Sequence, residues 1–202
     1  MVLYLSIIFG AVAIMTVLNS VFNQALFNCS PLLILLITII GVIIEIAVQG
    51  IFAFIAHSLP KKWFTKKVKI FHVTRRERKF YEKLHIKSWK DKALELGILG
   101  GFRKNKIYDP SNPEYLERFI IESNKGLLGH VLGMIFGFLI LLYPKPSFAL
   151  CVGLPIALVN LFLNLLSSMI LRYNIPKLTI AYERAKKMKE MKEKESFKNE
   201  NK

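Results

Sequence analysis

The sequence predicts an all-α integral membrane protein with four transmembrane helices and a basic, partly helical cytoplasmic segment between the second and the third. Three observations carry this reading. Apolar residues make up 53% of the 202 positions, yet the formal net charge is +15. The two properties are segregated along the chain. Four apolar stretches, 3–22, 32–55, 127–143 and 148–171, match or approach the roughly 20 residues that a bilayer core requires. Every Lys and Arg except Lys145 falls in 57–126 or 172–202.

The first stretch, Leu3–Phe22, has no basic residue before it and no small-residue cleavage site, so it is expected to be a retained helix. The loop Asn23–Pro31 follows, and Ser30-Pro31 opens the second span as an N-cap with Pro at the first helical position. Pro144 and Pro146 divide the third and fourth spans into a tight hairpin. Orientation follows from the Lys/Arg bias. The segment from His57 to Lys125 holds 18 basic and 8 acidic residues, and the tail from Arg172 holds 10 and 5. Both are expected inside, with both termini inside the cell membrane.

These features divide the chain into a transmembrane hairpin (1–56), a basic amphipathic segment (57–126), a second hairpin (127–171) and a charged tail (172–202). In the basic segment Trp63, Phe64, Phe71, Phe80, Tyr81, Leu84, Ile86 and Trp89 interleave with the cations. That pattern suits short helices lying among headgroups. Asp109–Pro113 reads as a turn. Pro113-Glu114 then starts a helix, with Leu116, Phe119 and Ile120 at helical spacing, that runs toward the third span. The Lys/Glu-rich tail is expected to fray near Ser196.

Polar groups inside a bilayer are costly and therefore mark candidate sites. Glu122 and His130 lie eight residues apart, two turns and about 80° on one helix. A neutral imidazole there is suited to take a proton from a hydroxyl, with the carboxylate assisting. Gly129, Gly133 and Gly137 repeat every four residues and predict close helix packing. Asn160, Asn164, Ser168 and Arg172 form a polar stripe that must face the bundle interior and ends on a cation able to grip a phosphate or carboxylate. Glu45 and Gln49 lie one turn apart in the second span and suit an interhelical contact.

The absences narrow the field. The sequence lacks a G-x-S-x-G elbow, a P-loop, G-x-G-x-x-G and H-E-x-x-H. Cys29 and Cys151 have no metal or disulfide spacing, so no metal site is expected. The cations flank membrane spans, which favours anionic lipid headgroups over nucleic acid.

From about Leu59 to Lys186 the chain resembles the glycosyl-4,4'-diaponeurosporenoate acyltransferase family. The resemblance rests on Leu59-Pro60-x-x-Trp63-Phe64, on Phe80-Tyr81-x-x-Leu84-x-Ile86-x-x-Trp89-Lys90-Asp91, on Ile120-Ile121-Glu122-Ser123 leading to His130, and on Arg172-Tyr173-Asn174-x-Pro176-x-Leu178. The first span and its loop have no clear counterpart. The resemblance implies a small membrane enzyme that esterifies a sugar hydroxyl of a glycosylated carotenoid, or a related glycolipid, with a fatty acyl group. Trp89, Lys90, Glu122, His130, Arg172, Tyr173 and Asn174 are family-typical.

The expected roles are inferences from chemistry. His130 and Glu122 form the catalytic pair. Trp89, Lys90, Asn164, Arg172, Tyr173 and Asn174 contact substrate. No cofactor is expected to stay bound, and the acyl donor, acyl-CoA among the options, acts as co-substrate. Expected partners are membrane lipids with anionic headgroups, the lipid-linked acceptor, and a second copy or another membrane protein. Two other readings stand beside this one: a non-catalytic membrane subunit, with the glycine and asparagine stripes as interfaces, and a small integral lipid methyltransferase.

Overall fold

A computed structural model describes residues 2–22, 27–92 and 107–200. Residues 23–26 of the expected outer loop and 93–106 of the basic segment lie outside the described residues. The described residues are helical with no strand. The helices are α1 Val2–Val21, α2 Pro31–Ser58, α3 Arg75–Lys83, α4 Ile86–Trp89, α5 Pro113–Phe136, α6 Pro146–Phe148 and α7 Leu154–Glu200. A 3-10 stretch, Gly137–Leu142, extends α5, and a π-helical turn, Ala149–Gly153, joins α6 to α7. Among the described residues, four helical segments are long and apolar enough to cross a membrane.

Local chemistry accounts for the boundaries. The Leu33 amide donates to Ser30 Oγ (3.3 Å), and the Tyr115 amide donates to Asn112 Oδ1 (3.0 Å), so each helix start has a polar cap before its proline. Asn112 is therefore the cap of the helix expected to begin at Pro113. That helix does run unbroken into the third apolar stretch. At about 1.5 Å per residue, the 47 residues of α7 span about 70 Å, more than twice a bilayer core. The helix does not fray near Ser196 but continues to Glu200. Paired charges such as Lys186 and Glu190 (3.9 Å), one turn apart, support the charged part of α7 before it.

The chain forms two compact units, each assembled from distant stretches. The first comprises the described residues of Met1–Ser58, Lys92–Leu94 and Gly126–Ser168. Its apolar core gathers Met15, Phe27, Ile34, Phe148, Val152 and Ile156. Many large apolar side chains of α1 and α2, Phe9 and Phe54 among them, point outward, as lipid-facing residues must. Tyr4 Oη donates to the Leu163 carbonyl (3.1 Å) and lies 2.8 Å from Ser167 Oγ. Pro155 has no N–H to offer the Cys151 carbonyl one turn back. Asn19 Nδ2 donates to that carbonyl instead (2.9 Å), which accounts for a buried asparagine in α1.

The glycine stripe meets α2 one turn at a time. Gly129 faces Ala53, Gly133 faces the Gln49 amide, and Gly137 faces Glu45 and Asn160. The close approach expected from the spacing is therefore made largely by polar side chains rather than by backbone alone. A methyl group at Gly137 would overlap the Asn160 amide and the Glu45 carboxyl. Gly137→Ala is expected to destabilise the fold by about 1–3 kcal/mol, the usual cost of overpacking. The check is the thermal unfolding midpoint in detergent. An unchanged midpoint would mean that both side chains can swing aside without loss.

The second unit comprises the described residues of Leu59–Asp91, Glu95–Lys125 and Met169–Lys202. Its core packs Leu116, Phe119 and Ile120 of α5 against Leu178, Tyr182 and Ala185 of α7. The i, i+3, i+4 pattern seen in the sequence is thus the buried face of α5. Ion pairs Lys66–Glu183 and Lys189–Glu114 fasten its surface.

Candidate functional site

In the first unit, α5 and α7 bring His130 and Asn164 together. His130 Nδ1 lies 2.8 Å from Asn164 Oδ1. The network fixes which atom donates. Asn164 Nδ2 donates to the Asn160 carbonyl (3.0 Å) and to Asn160 Oδ1 (2.6 Å), so the Asn164 oxygen faces the imidazole. An amide oxygen only accepts, so Nδ1 carries the proton, which in a neutral ring puts the lone pair on Nε2. Asn160 is itself oriented, because its Nδ2 donates to the Gly133 carbonyl (3.0 Å) and its Oδ1 accepts from Gln49 Nε2 (2.8 Å). The chain Gln49–Asn160–Asn164–His130 therefore has one consistent direction. The asparagine stripe holds the histidine in one tautomer.

Glu45 lies beside this network, 5% exposed, and neither carboxyl oxygen has a hydrogen-bond partner among the described residues. Gln49 supplies the interhelical contact that the Glu45–Gln49 pair suggested. Glu122 is half-buried and falls in the second unit, whereas His130 falls in the first.

In the second unit, Arg172 faces α3. Its Nε donates to Glu77 Oε1 and its Nη2 to Glu77 Oε2 (2.8 Å), a two-point grip on one carboxylate. The same guanidinium donates to the carbonyls of Ile70 (3.3 Å) and His72 (3.2 Å). The cation at the end of the stripe is thus engaged with this protein's own groups. Tyr81 Oη donates to Glu77 Oε1 (2.6 Å). The Arg172 hydrogen bond, helped by Tyr81 and by the Thr74 backbone, holds the Glu77 carboxyl below the ordinary carboxylate range despite its burial. Burial and the adjacent Glu77 push the Tyr81 phenol up to about 12, so it remains a donor.

Tyr173 is fully buried, and its hydroxyl donates to Glu82 Oε1 at 3.4 Å. Trp89 Nε1 donates to the Leu84 carbonyl (3.0 Å), which fixes the indole at the end of α4. Lys90 pairs with Asp91 (2.8 Å) and, with Asn174, lines a cavity of about 200 Å³. The same cavity is lined by Ser123 and Lys177.

Among the expected site residues, the structure joins His130 with Asn164 and places Lys90 and Asn174 in the lining of one cavity. It ties Arg172 and Tyr173 to carboxylates of α3. Sequence reasoning missed Glu77, Ser123 and Lys177. Glu77 did leave a signal: Thr74-x-x-Glu77 is a capping-box pattern, and the Glu77 amide does donate to Thr74 Oγ1 (3.1 Å). Among the described residues no three His, Cys, Asp or Glu side chains gather as metal ligands would.

Comparison with known proteins gives one family. Residues 60–184 match the model of the glycosyl-4,4'-diaponeurosporenoate acyltransferase family. No curated protein and no solved structure is similar enough to be matched. The match takes in α3, α4 and α5, all of the α5 and α7 members of the Gln49–His130 network, and both walls of the cavity. It covers more than half of the chain, and on that ground this helical membrane protein belongs to the glycosyl-4,4'-diaponeurosporenoate acyltransferase family and is a transferase.

Proposed function

We propose that the protein esterifies a sugar hydroxyl of a lipid-linked glycoside, of the glycosyl-diaponeurosporenoate type, with a fatty acyl group from an activated thioester. The observation that carries this is the oriented imidazole: Nδ1 is held 2.8 Å from Asn164 Oδ1, which leaves Nε2 as the base in a neutral ring. Nε2 takes the proton of the acceptor hydroxyl as the oxygen attacks the acyl carbon. The new C–O ester bond forms, the C–S bond breaks, and the imidazolium returns its proton to the leaving thiolate. Asn164 keeps Nε2 aimed and stabilises the imidazolium through the Nδ1–H bond. Glu122 is assigned the weaker, assisting role of lowering the local potential on α5.

The remaining site residues divide by their contacts. Lys90 and Asn174, which wall the cavity, are the donor-side contacts, with Trp89 shaping the segment that presents Lys90. Arg172 and Tyr173 act through α3 as positioning residues, because their polar atoms are already engaged there. The enzyme works in the cell membrane with both termini inside and anionic headgroups against its basic segment. The density of cations in 57–126 and 172–202 supports that orientation.

The direct test is conversion of a glycosylated carotenoid acid by membranes containing the protein, with acyl-CoA supplied. The expected product is heavier by one acyl group and loses it on mild alkaline treatment. Absence of any acylated product, with acceptor and donor both present, would overturn the reading. The orientation has its own test: a tag after Lys202 should resist protease added to intact cells and be cut once the membrane is opened. Cleavage in intact cells would reverse the assigned topology.

A further inference from the structure

The cavity in the second unit holds two lysines, Lys90 and Lys177, together with the hydroxyl of Ser123 and the amide of Asn174. Its other wall is apolar, made by Phe119, Leu171 and Leu178. Further cations crowd the same region. Lys177 Nζ stands 4.8 Å from the centre of the Tyr173 ring, and the Arg78 guanidinium carbon stands 5.9 Å from it. Lys177 is exposed and lies outside the spans, yet its ammonium is held below the ordinary lysine range, first by partial burial and then by Lys90, Arg78 and Lys87.

Among the described residues the facing carboxylates are fewer than these cations. Asp91 pairs with Lys90 (2.8 Å), and Glu82 lies 3.6 Å from Arg78 and 3.8 Å from Lys87. Among the described residues four cations, Lys90, Lys177, Arg78 and Lys87, thus meet the carboxylates of Asp91 and Glu82. A cluster with positive charge in excess repels itself unless an anion joins it. The volume, about 200 Å³, is below the range of about 300–1,000 Å³ typical of whole drug-sized ligands. It suits one charged head group with the start of an apolar or heterocyclic body.

We propose that this cavity is a phosphate-ester site. Lys90 and Lys177 supply the two charges that match a phosphate dianion, Ser123 and Asn174 donate to its remaining oxygens, and the Phe119–Leu178 wall takes the body of the ester. Lysine suits phosphate as a point charge, without the fork geometry that a carboxylate rewards. This deepens the acyl-transfer reading and rests on it for the donor's identity. Two sources share the chemistry: a phosphate of a nucleotide thioester such as coenzyme A, and the headgroup of an anionic phospholipid.

The experiment uses the full chain in nanodiscs of phosphatidylcholine. Coenzyme A is titrated by calorimetry, and in a second arm the protein is extracted from phosphatidylglycerol-containing membranes and its retained lipid identified by native mass spectrometry. Lys90→Gln/Lys177→Gln is compared with Lys90→Arg/Lys177→Arg, and unfolding midpoints check that both pairs of variants fold. Loss of charged hydrogen bonds should weaken binding about tenfold to a hundredfold in the Gln variant, and the Arg variant should keep most of it. Coenzyme A binding that follows this pattern names the thioester donor. Retained phosphatidylglycerol that follows it, without coenzyme A binding, names the lipid headgroup. If neither ligand binds the wild type, or the folded Gln variant binds as well as the wild type, the phosphate site is wrong. Binding needs no turnover, so His130→Ala with ligand binding intact and activity unchanged would sink the acyl-transfer mechanism while leaving this site standing.

Discussion

His130→Ala should lower ester formation by about a hundredfold to ten-thousandfold, the range that a positioned general base contributes. The loss belongs in kcat rather than in acceptor KM, because the proton is taken only as the hydroxyl attacks. The variant should fold, since His130 is half-buried and a smaller side chain leaves the glycine–α2 packing in place. Asn164→Ala probes the orientation separately. It removes the acceptor from Nδ1–H, so the imidazole loses its fixed tautomer and its aim at once. A smaller loss of kcat is expected there, with the acid limb of the pH–rate profile displaced. A purely structural asparagine would change the unfolding midpoint and leave that profile where it was. Full activity in His130→Ala would place the base elsewhere.

Arg172→Ala should destabilise the second unit by about 1–3 kcal/mol. The two side chains of the Arg172–Glu77 pair are each 23% exposed, which sets the cost between that of a surface pair, about 0–1 kcal/mol, and that of breaking a buried one, about 3–5 kcal/mol. Besides the pair, the substitution strips a donor from the carbonyls of Ile70 and His72, so the turns that enter α3 lose their anchor. Glu77→Gln should cost less, because an amide still accepts from the guanidinium. The pH dependence has a definite sign. Arg172 and the Thr74 cap hold the folded Glu77 carboxyl below its ordinary value of 4.5. The stabilisation it provides is therefore fully present above about pH 4.5 and is lost as pH falls from there through the depressed folded value. The wild type should lose midpoint temperature across that acid window more steeply than Arg172→Ala. Parallel curves would show that the pair contributes nothing that titrates.

The membrane class, the four spans and the starts of α2 and α5 were legible in the sequence because each rests on neighbouring residues. A bilayer demands an unbroken apolar run, and Ser30-Pro31 and Asn112-Pro113 cap locally whatever lies elsewhere. The buried face of α5 was legible for the same reason, since periodicity along one helix names the side that must be covered. The family resemblance over 59–186 also agrees with the match over 60–184. Placing Asn160 and Asn164 in the interior needed only the rule that polar groups avoid lipid.

Partner choice was decided by tertiary structure. The His130 ring meets Asn164, thirty-four positions along the chain, a contact that the spacing along one helix does not name. Arg172 holds Glu77, ninety-five positions away, a partner that the polar stripe does not name. The glycine stripe named a packing surface without naming Gln49 and Glu45 as what fills it. Helical periodicity gives a residue's angle about its own axis and nothing about the rotation, depth or register of the helix opposite. Apolar contacts tolerate that ignorance, because any apolar neighbour serves. A directional hydrogen bond does not, so the sequence by itself determined which residues are buried and charged, and only the three-dimensional packing decided which of them meet.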